Sequence, residues 1–388
     1  MNYVKAKDLV TFKTGKLDSN AAEEGGLYPF FTCAQTTYQI NSFAFDTECV
    51  LLAGNNASAI FPLKYFNGKF DAYQRTYIIE TKQKNQLNIR YFYFFLIPYL
   101  KSFEQQATGA TTKFLTMKIL NNIQVALPEI EVQDKIAEIL SAYDDLIETN
   151  NQRIATLEQL AQQIYKEWFV RMRFPGWENT AFQHGIPDGW EELPFAGLVD
   201  ILSGGTPSTN TISYWNGDVL FFTPKDANTN CIYAFDTEKK ITDQGLENCN
   251  SSLYEPNTVF ITARGTVGKV NLNLYSMAMN QSCFALRGKT GISQSYLFFA
   301  TKSNVDSMKS IANGATFDAI TIDSFSRFKA LKPTSDLINK FDDILIPFLN
   351  EIKCIVEVNI NLTRIRDLLL PRLISGKLSI KQAEAFTP

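Results

Sequence analysis

The sequence repeats itself, and the repeat limits the architecture before any motif is sought. Residues 91–140 can be laid over 296–345 without a gap, at a constant offset of 205, and 12 of these 50 positions are identical. About three identities would arise by chance at ordinary residue frequencies, so the match is an internal duplication. It includes Tyr91 with Tyr296, Phe94 with Phe299, Gly109-Ala110-Thr111 with Gly314-Ala315-Thr316, Thr116 with Thr321, Pro128 with Pro333, and Ile139-Leu140 with Ile344-Leu345. With small gaps it continues upstream: Phe30-Phe31-Thr32 over Phe221-Phe222-Thr223, Val50-Leu51-Leu52 over Val259-Phe260-Ile261, and Gln74 over Gln281. The 388 residues therefore resolve into two near-copies, each long enough to bury a core.

Each copy has a globular part and a helical part. The globular parts, 1–128 and 175–332, carry short β-rich runs (Val50–Ala53, Tyr77–Glu80, Thr258–Thr262, Cys283–Leu286) between Gly, Asn and Pro turns, which predicts mixed α+β domains. The aromatic runs Tyr91–Leu100 and Tyr296–Ala300 are expected to be buried helix, and their rings core. After Pro128 and Pro333 the pattern becomes helical, over 129–174 and 333–376, leaving 377–388 as a tail. In the first segment Ile136, Tyr143, Asn150, Leu157 and Ile164 recur every seven residues, with Ile139, Leu146 and Leu160 as a second stripe and Leu140, Ile147, Ile154 and Ala161 on its flank. In the second, Phe341, Phe348, Ile355, Leu362 and Leu369 do the same, flanked by Ile344, Leu345, Ile352, Val358 and Ile365. Two heptad seams of equal length invite pairing as a coiled coil, in which Asn150 costs stability and sets register; the expected fold is α+β, two similar globular domains separated by two long antiparallel helices, with an internal pseudo-twofold repeat. Pro347 is expected to kink or restart the second helix, and Pro371 with Gly376 to end it. Helices of this length are rods of about 50–60 Å that would separate the two domains.

Composition excludes several function classes. A single His, His184, leaves no His cluster for zinc and no His to pair with a nucleophilic Ser or Cys. The six Cys are far apart with no C-x-x-C, and no charged-then-apolar leader opens the chain, so reduced thiols of a cytoplasmic protein are expected. The strongest apolar run spans about ten residues, half of what a membrane helix needs. A nuclease-like pairing of Asp188 with Glu238-Lys239-Lys240 is weak, because such spacings are common. There is neither an Asn-Pro-Pro-aromatic methyltransferase motif nor a phosphate-binding P-loop.

Several stretches together resemble the DNA specificity subunit of type I restriction-modification systems. They are Leu127-Pro128 with Glu131–Leu140, Asp144–Asn151, Leu157–Phe169, the linker Gly185–Trp190, Ser203–Ser208, Tyr214-Trp215 with Gly217, Ala263–Gly268, Asn280-Gln281 and Leu370–Leu378. Their order and spacing, with the repeat, make the likeness specific across essentially the whole chain. It implies two target recognition domains, each reading one half of a split, asymmetric site in double-stranded DNA. It also implies helices that set the gap and dock two methyltransferase subunits, to which restriction/translocase subunits are added. The subunit itself would be no enzyme and hold no cofactor; the complex would use S-adenosylmethionine, and ATP with Mg. One departure is that the first domain has Lys13-Thr14-Gly15-Lys16 where the family carries a Thr-Pro-Ser loop. The alternatives are a self-contained nuclease or methyltransferase, and a helical scaffold that binds only proteins.

The net charge of -3 argues superficially against DNA. Divided by segment, 1–128 carries 13 basic and 9 acidic residues, 129–173 carries 5 and 9, and 174–332 carries 12 and 15. In the last of these, 256–332 has 9 basic against 3 acidic residues. Basic residues thus remain for phosphate contacts. Polar and basic residues in Gly-rich loops are the candidates for DNA contact. They are Lys13, Lys16, Asn55, Asn56, Gln74, Arg75, Thr111, Thr112 and Lys113 in the first domain, and Thr206, Ser208, Lys225, Arg264, Lys269, Gln281 and Thr316 in the second. Tyr165, Trp168 and Phe169 are candidates for a partner-protein surface.

Overall fold

The computed structural model describes residues 2–57, 60–109, 112–312 and 319–387. The chain forms two compact units: unit 1 is Met1–Glu148 with Asn359–Pro388, and unit 2 is Thr149–Val358. Each unit holds one globular part and a portion of both long helices, Ile130–Tyr165 and Ser335–Ile374. No helix among the described residues is long and apolar enough to cross a membrane.

In unit 1 a six-stranded sheet has the spatial order Val10–Thr14, Thr76–Thr81, Phe45–Ala53, Leu63–Ala72, Tyr28–Phe31, Tyr38–Ile40. Its central strand reads Cys-Val-Leu-Leu because both faces are covered. Successive side chains point to opposite faces, so Val50 and Leu52 join the cluster containing Phe92 and Phe94 of the helix Ile89–Leu96, while Cys49 and Leu51 pack with Phe31, Phe70 and Ile78. The expected helix at Tyr91 is confirmed, and it is split at Pro98 by a second one, Tyr99–Gln106. Tyr91, fully buried, donates its hydroxyl hydrogen to Ala126 O at 2.8 Å. The strand Asn2–Lys5 pairs antiparallel with Gln124–Leu127 and leads into the first long helix. Ile136, Ile139, Leu140 and Tyr143 of that helix meet Leu362, Leu369, Leu370 and Leu373 of the second in the same core. The chain direction is antiparallel, with Asp144 Oδ1 2.5 Å from Arg366 Nη1. The tail adds a capped helical turn, Ile380–Glu384, whose Ala383 is buried.

Unit 2 repeats this plan with a broken sheet. Val199–Ser203, Cys283–Gly288, Val259–Thr262, Val270–Asn273 and Tyr233–Ala234 form five strands; Lys239–Ile241, Trp215–Phe222 and Met277–Met279 form three. Where unit 1 has the continuous strand Leu63–Ala72, unit 2 interrupts it after Asn273. The wholly buried Asn273 amide donates to the carbonyls of Tyr254, Glu255 and Tyr275, which satisfies the backbone at the break. Phe31 beside Ala72 and Phe222 beside Met279 are corresponding parallel pairs. Tyr296 donates to Leu331 O at 3.1 Å, the counterpart of the Tyr91 bond at the same offset of 205. Glu191–Pro194 pairs with Lys329–Lys332 as Asn2–Lys5 does with Gln124–Leu127.

The helices correct two expectations. The second runs unbroken from Ser335 to Ile374, so Pro347 does not restart it and Pro371 does not stop it. Both prolines lie on the exposed side, where water satisfies the carbonyl that lost its donor. The stop is Gly376 at φ 70, with Gly376 N–H on Leu373 O. Leu160, Ile344, Val358 and Ile365 were expected in or beside the seam, but are 44%, 38%, 47% and 39% exposed. A seven-residue column drifts about 20° per heptad around a straight helix. Burial therefore shifts from Ile136 and Tyr143 in unit 1 to Ile154, Ala161 and Trp168 in unit 2.

Candidate nucleic-acid interface

In unit 1 four separate loop segments are tied together by main-chain hydrogen bonds. The loop after Val10–Thr14 accepts Gln74 N–H at Leu17 O (2.9 Å), Gly54 N–H bonds to Arg75 O (2.8 Å), and Leu115 N–H bonds to Gly54 O (2.9 Å). The pair Asn55-Asn56 then forms a short antiparallel ladder with Lys113-Phe114. The same frame recurs in unit 2. Gly205 N–H bonds to Met279 O, Ala263 N–H to Ser282 O, and Ile320 N–H to Ala263 O. Gly54 therefore corresponds to Ala263, Arg75 to Ser282, and Leu115 to Ile320.

This correspondence resolves the departure at Lys13-Thr14-Gly15-Lys16. A Cβ on Gly15 would lie 1.8 Å from Ala72 O, and one on Gly204 would lie 2.3 Å from the carbonyls of Met279 and Asn280. Both loops need a glycine for the same close backbone approach, so Gly15 and Gly204 are equivalent and the first loop of unit 1 follows at Lys16. Gln74 and Gln281, aligned in the repeat, do corresponding work. Gln74 donates from Nε2 to Asp18 Oδ1 at 2.7 Å, and Gln281 Oε1 accepts from the Thr206 hydroxyl. Each ties the loop after Val10–Thr14, or after Val199–Ser203, to the turn that carries the glutamine.

The remaining candidates divide by what already engages them. Lys13 is paired with Glu80 at 2.5 Å, and Lys225 with Glu238 at 3.7 Å. Lys269 points its Nζ to Ala227 O at 3.5 Å. Ser208 is exposed, and its carbonyl accepts the Trp215 indole N–H. Lys16 and Arg264 are exposed, with no carboxylate partner among the described residues. Asn56, Thr112 and Lys113 are half-buried beside the ladder. The Oδ1 of Asn55 is buried without a partner among the described residues. Thr111 and Thr316 lie outside the described residues, as do most of the repeated Gly-Ala-Thr residues.

Sequence reasoning missed Phe114. The Arg75 guanidinium lies over its ring, 5.3 Å from the centroid. Beneath this pair, burial raises the Tyr77 hydroxyl above its ordinary range, and that hydroxyl donates to Leu115 O at 2.8 Å. The ladder of residue 114 with Asn55, and its bridge to Thr108, could have been sought in the alternation around Gly109, but the sequence shows only a Gly-Thr-rich turn.

The partner-surface expectation for Tyr165, Trp168 and Phe169 is corrected: they are 4%, 9% and 6% exposed. All three rings pack on Phe341, and Tyr165 and Phe169 also meet Tyr296. They are aromatic because they close a core. The weak nuclease grouping also dissolves into structure, since the Glu238 N–H donates to Asp226 Oδ1 and the Glu238 carboxylate faces Lys225, while Lys239 lies over Trp215. Burial pushes the thiols of Cys49, Cys231 and Cys283 up to about 12, so they stay protonated.

These loops offer amide, hydroxyl and guanidinium groups on a braced backbone, the chemistry of base edges and phosphates. A family model described as the type I restriction modification DNA specificity domain matches residues 1–159 and 187–335. The chain belongs to that family. The first match covers one set of loops and most of the first long helix, and the second covers the other set and ends where the second long helix begins. Among relatives, the type I restriction enzyme EcoDI specificity subunit of Escherichia coli is 34% identical over 223 residues, 52% of this chain and 49% of that protein. The HindI specificity subunit of Haemophilus influenzae is 24% identical over 343 residues, 72% of this chain and 74% of its own. The first alignment thus spans about half the length of its relative. A crystal structure of the type I restriction-modification S subunit from M. genitalium shares the fold, with a TM-score of 0.59 and 16% identity over 96% of this chain and 95% of that one.

Proposed function

We propose that this specificity protein reads a bipartite, asymmetric site in double-stranded DNA, one half with each unit, on behalf of a type I restriction-modification complex. The observation that carries the reading is the recurrence of one braced loop frame in both units, built on Gly15 and Gly204, Gln74 and Gln281, and Gly54 and Ala263. A frame held by main-chain bonds keeps its shape while its outward side chains differ, which is what two different half-sites require. The two long helices, of 36 and 40 residues, set the spacing of the half-sites and dock two methyltransferase subunits. Restriction/translocase subunits complete the assembly in the cytoplasm. Methyl transfer from S-adenosylmethionine, and ATP- and Mg-dependent translocation, belong to those partners.

The basic surplus over 1–128 and 256–332 supplies phosphate contacts whose strength falls with salt. Low overall charge leaves much of the clamping to the partners. Competition between specific and random duplexes for the purified complex tests the reading. Retention should favour the specific duplex by about a thousandfold or more, and sequence-independent retention would sink it. DNA cleavage or methylation by the isolated chain would instead revive a catalytic role.

A further inference from the structure

We infer that Arg75, held against Phe114, reads a guanine on its major-groove edge in the half-site of unit 1, and that unit 2 has no such reader at the corresponding place. The inference rests on the recognition reading and names one base contact within it. Three observations on unit 1 carry it.

The backbone of Arg75 is fixed from several sides. Its carbonyl accepts from Gly54 N–H at 2.8 Å and from Cys33 Sγ at 3.5 Å. The neighbouring Gln74 is bonded to Leu17 O and to Asp18 Oδ1, and Thr76 N–H to Tyr73 O. The side chain, by contrast, is exposed and has no carboxylate partner among the described residues. Finally, its guanidinium is placed over the Phe114 ring, which is itself held through two main-chain bonds with Thr108 and the ladder to Asn55.

A phosphate can be met by the flexible point charge of a lysine, whereas the planar arginine fork suits a pair of acceptors. Holding the guanidinium over a ring removes much of the rotamer freedom that binding would otherwise cost. A pre-oriented planar fork matches the O6 and N7 acceptors of guanine, the commonest specific arginine contact. In unit 2 the position equivalent to Arg75 is Ser282, whose carbonyl accepts from Ala263 N–H at 2.8 Å. A serine has no planar fork and discriminates little between bases. At this place the shared frame therefore carries a guanine reader in unit 1 only.

Selection of randomised 40-base-pair duplexes by the full chain in complex with its methyltransferase subunits tests this. The wild type should yield a bipartite consensus with a guanine required in one half. Arg75→Ala should lower that guanine preference roughly tenfold to a hundredfold while leaving every other position unchanged. Arg75→Lys should restore only part of it, and Phe114→Leu should weaken it while Arg75 is still present. An unchanged consensus for Arg75→Ala would overturn the inference. Equal weakening on all sequences, with a salt slope reduced by about one, would reveal a phosphate contact, overturning the guanine assignment and sparing the recognition reading. No consensus from the wild type would overturn both.

Discussion

The two units share a backbone frame and close it by different means. Unit 1 closes around leucines, with Leu362, Leu369, Leu370 and Leu373 against Ile136, Ile139 and Tyr143. It adds a partly buried ion pair between Asp144 and Arg366, and a second between Arg90 and Asp145. Unit 2 closes around aromatic rings, Tyr165, Trp168, Phe169, Tyr296, Phe299 and Phe341. Its polar ties are half-buried carboxylates, Glu158 accepting Ile232 N–H at 2.5 Å and Asp342 accepting from the Ser293 hydroxyl at 3.0 Å. What the copies retain is main-chain geometry, seen in the paired bonds of Tyr91 to Ala126 and Tyr296 to Leu331. Side chains diverged wherever a different solution filled the same space.

The largest effect should come from the rings. Phe341 and Ile136 occupy the same place in the repeat and are 0% and 3% exposed. Phe341→Ala should cost unit 2 about 4 kcal/mol, and Ile136→Ala should cost unit 1 about 3. Hydrogen exchange resolved by segment should show the loss of protection within Thr149–Val358 for the first variant and outside it for the second. Equal loss in both units from either variant would break the distinction.

Next is the ion pair of unit 1. Burial raises the Asp144 carboxyl above its ordinary range despite Arg366, while hydrogen bonding to Asp144 and Asp367 outweighs burial and raises the Arg366 guanidinium. At Asp144 desolvation thus outweighs the attraction of Arg366. Arg366→Met should cost about 2 kcal/mol, below the 3 to 5 typical of a fully dry pair, because the two side chains are 20% and 24% exposed. Adding Asp144→Leu should recover most of that loss in urea denaturation, and a double variant as unstable as the single would contradict the pair's role.

The carboxylates of unit 2 give a smaller effect with a definite sign. Burial raises the Glu158 carboxyl, opposed by the Ile232 N–H bond, and burial raises Asp342 as well. A folded-state value above the unfolded one means stability that is full below the ordinary carboxylate range and is lost as pH rises through the folded value. Unit 2 should therefore lose stability as pH climbs above about 4.5. Glu158→Gln, which keeps the acceptor for Ile232, should reduce that loss, as read from urea midpoints at acidic and neutral pH. An identical pH profile in the variant would show that Glu158 is not its source. The smallest effect is expected on the helix surface, where Leu160→Ser at a 44% exposed position should change stability by less than about 0.5 kcal/mol. Ile154→Ala nearby, at 3% exposure, should cost about 3.

The architecture was legible because the constraints on it are periodic or duplicated. The repeat pointed to two similar globular parts, and the heptads to two long helices, seen as Ile130–Tyr165 and Ser335–Ile374. Ends and faces were less legible. A seven-residue column says which residues are apolar but not how it drifts, so Leu160 and Val358 read as interior. Pro347 read as a break because sequence does not show that it faces water. At the candidate site, Gln74 and Gln281 were visible as a repeated pair, whereas the equivalence of Gly15 with Gly204 depends on carbonyls more than fifty residues away. Phe114 was invisible for the same reason, since its partner Arg75 is distant in sequence.

The central claim, one half-site per unit, is tested most directly by exchanging residues 1–128 for the corresponding domain of another family member and mapping methylated adenines in the host genome before and after. One half of the methylated sequence should change, while the other half and the gap between them stay as they were. A change in both halves, or in the gap, would contradict the account.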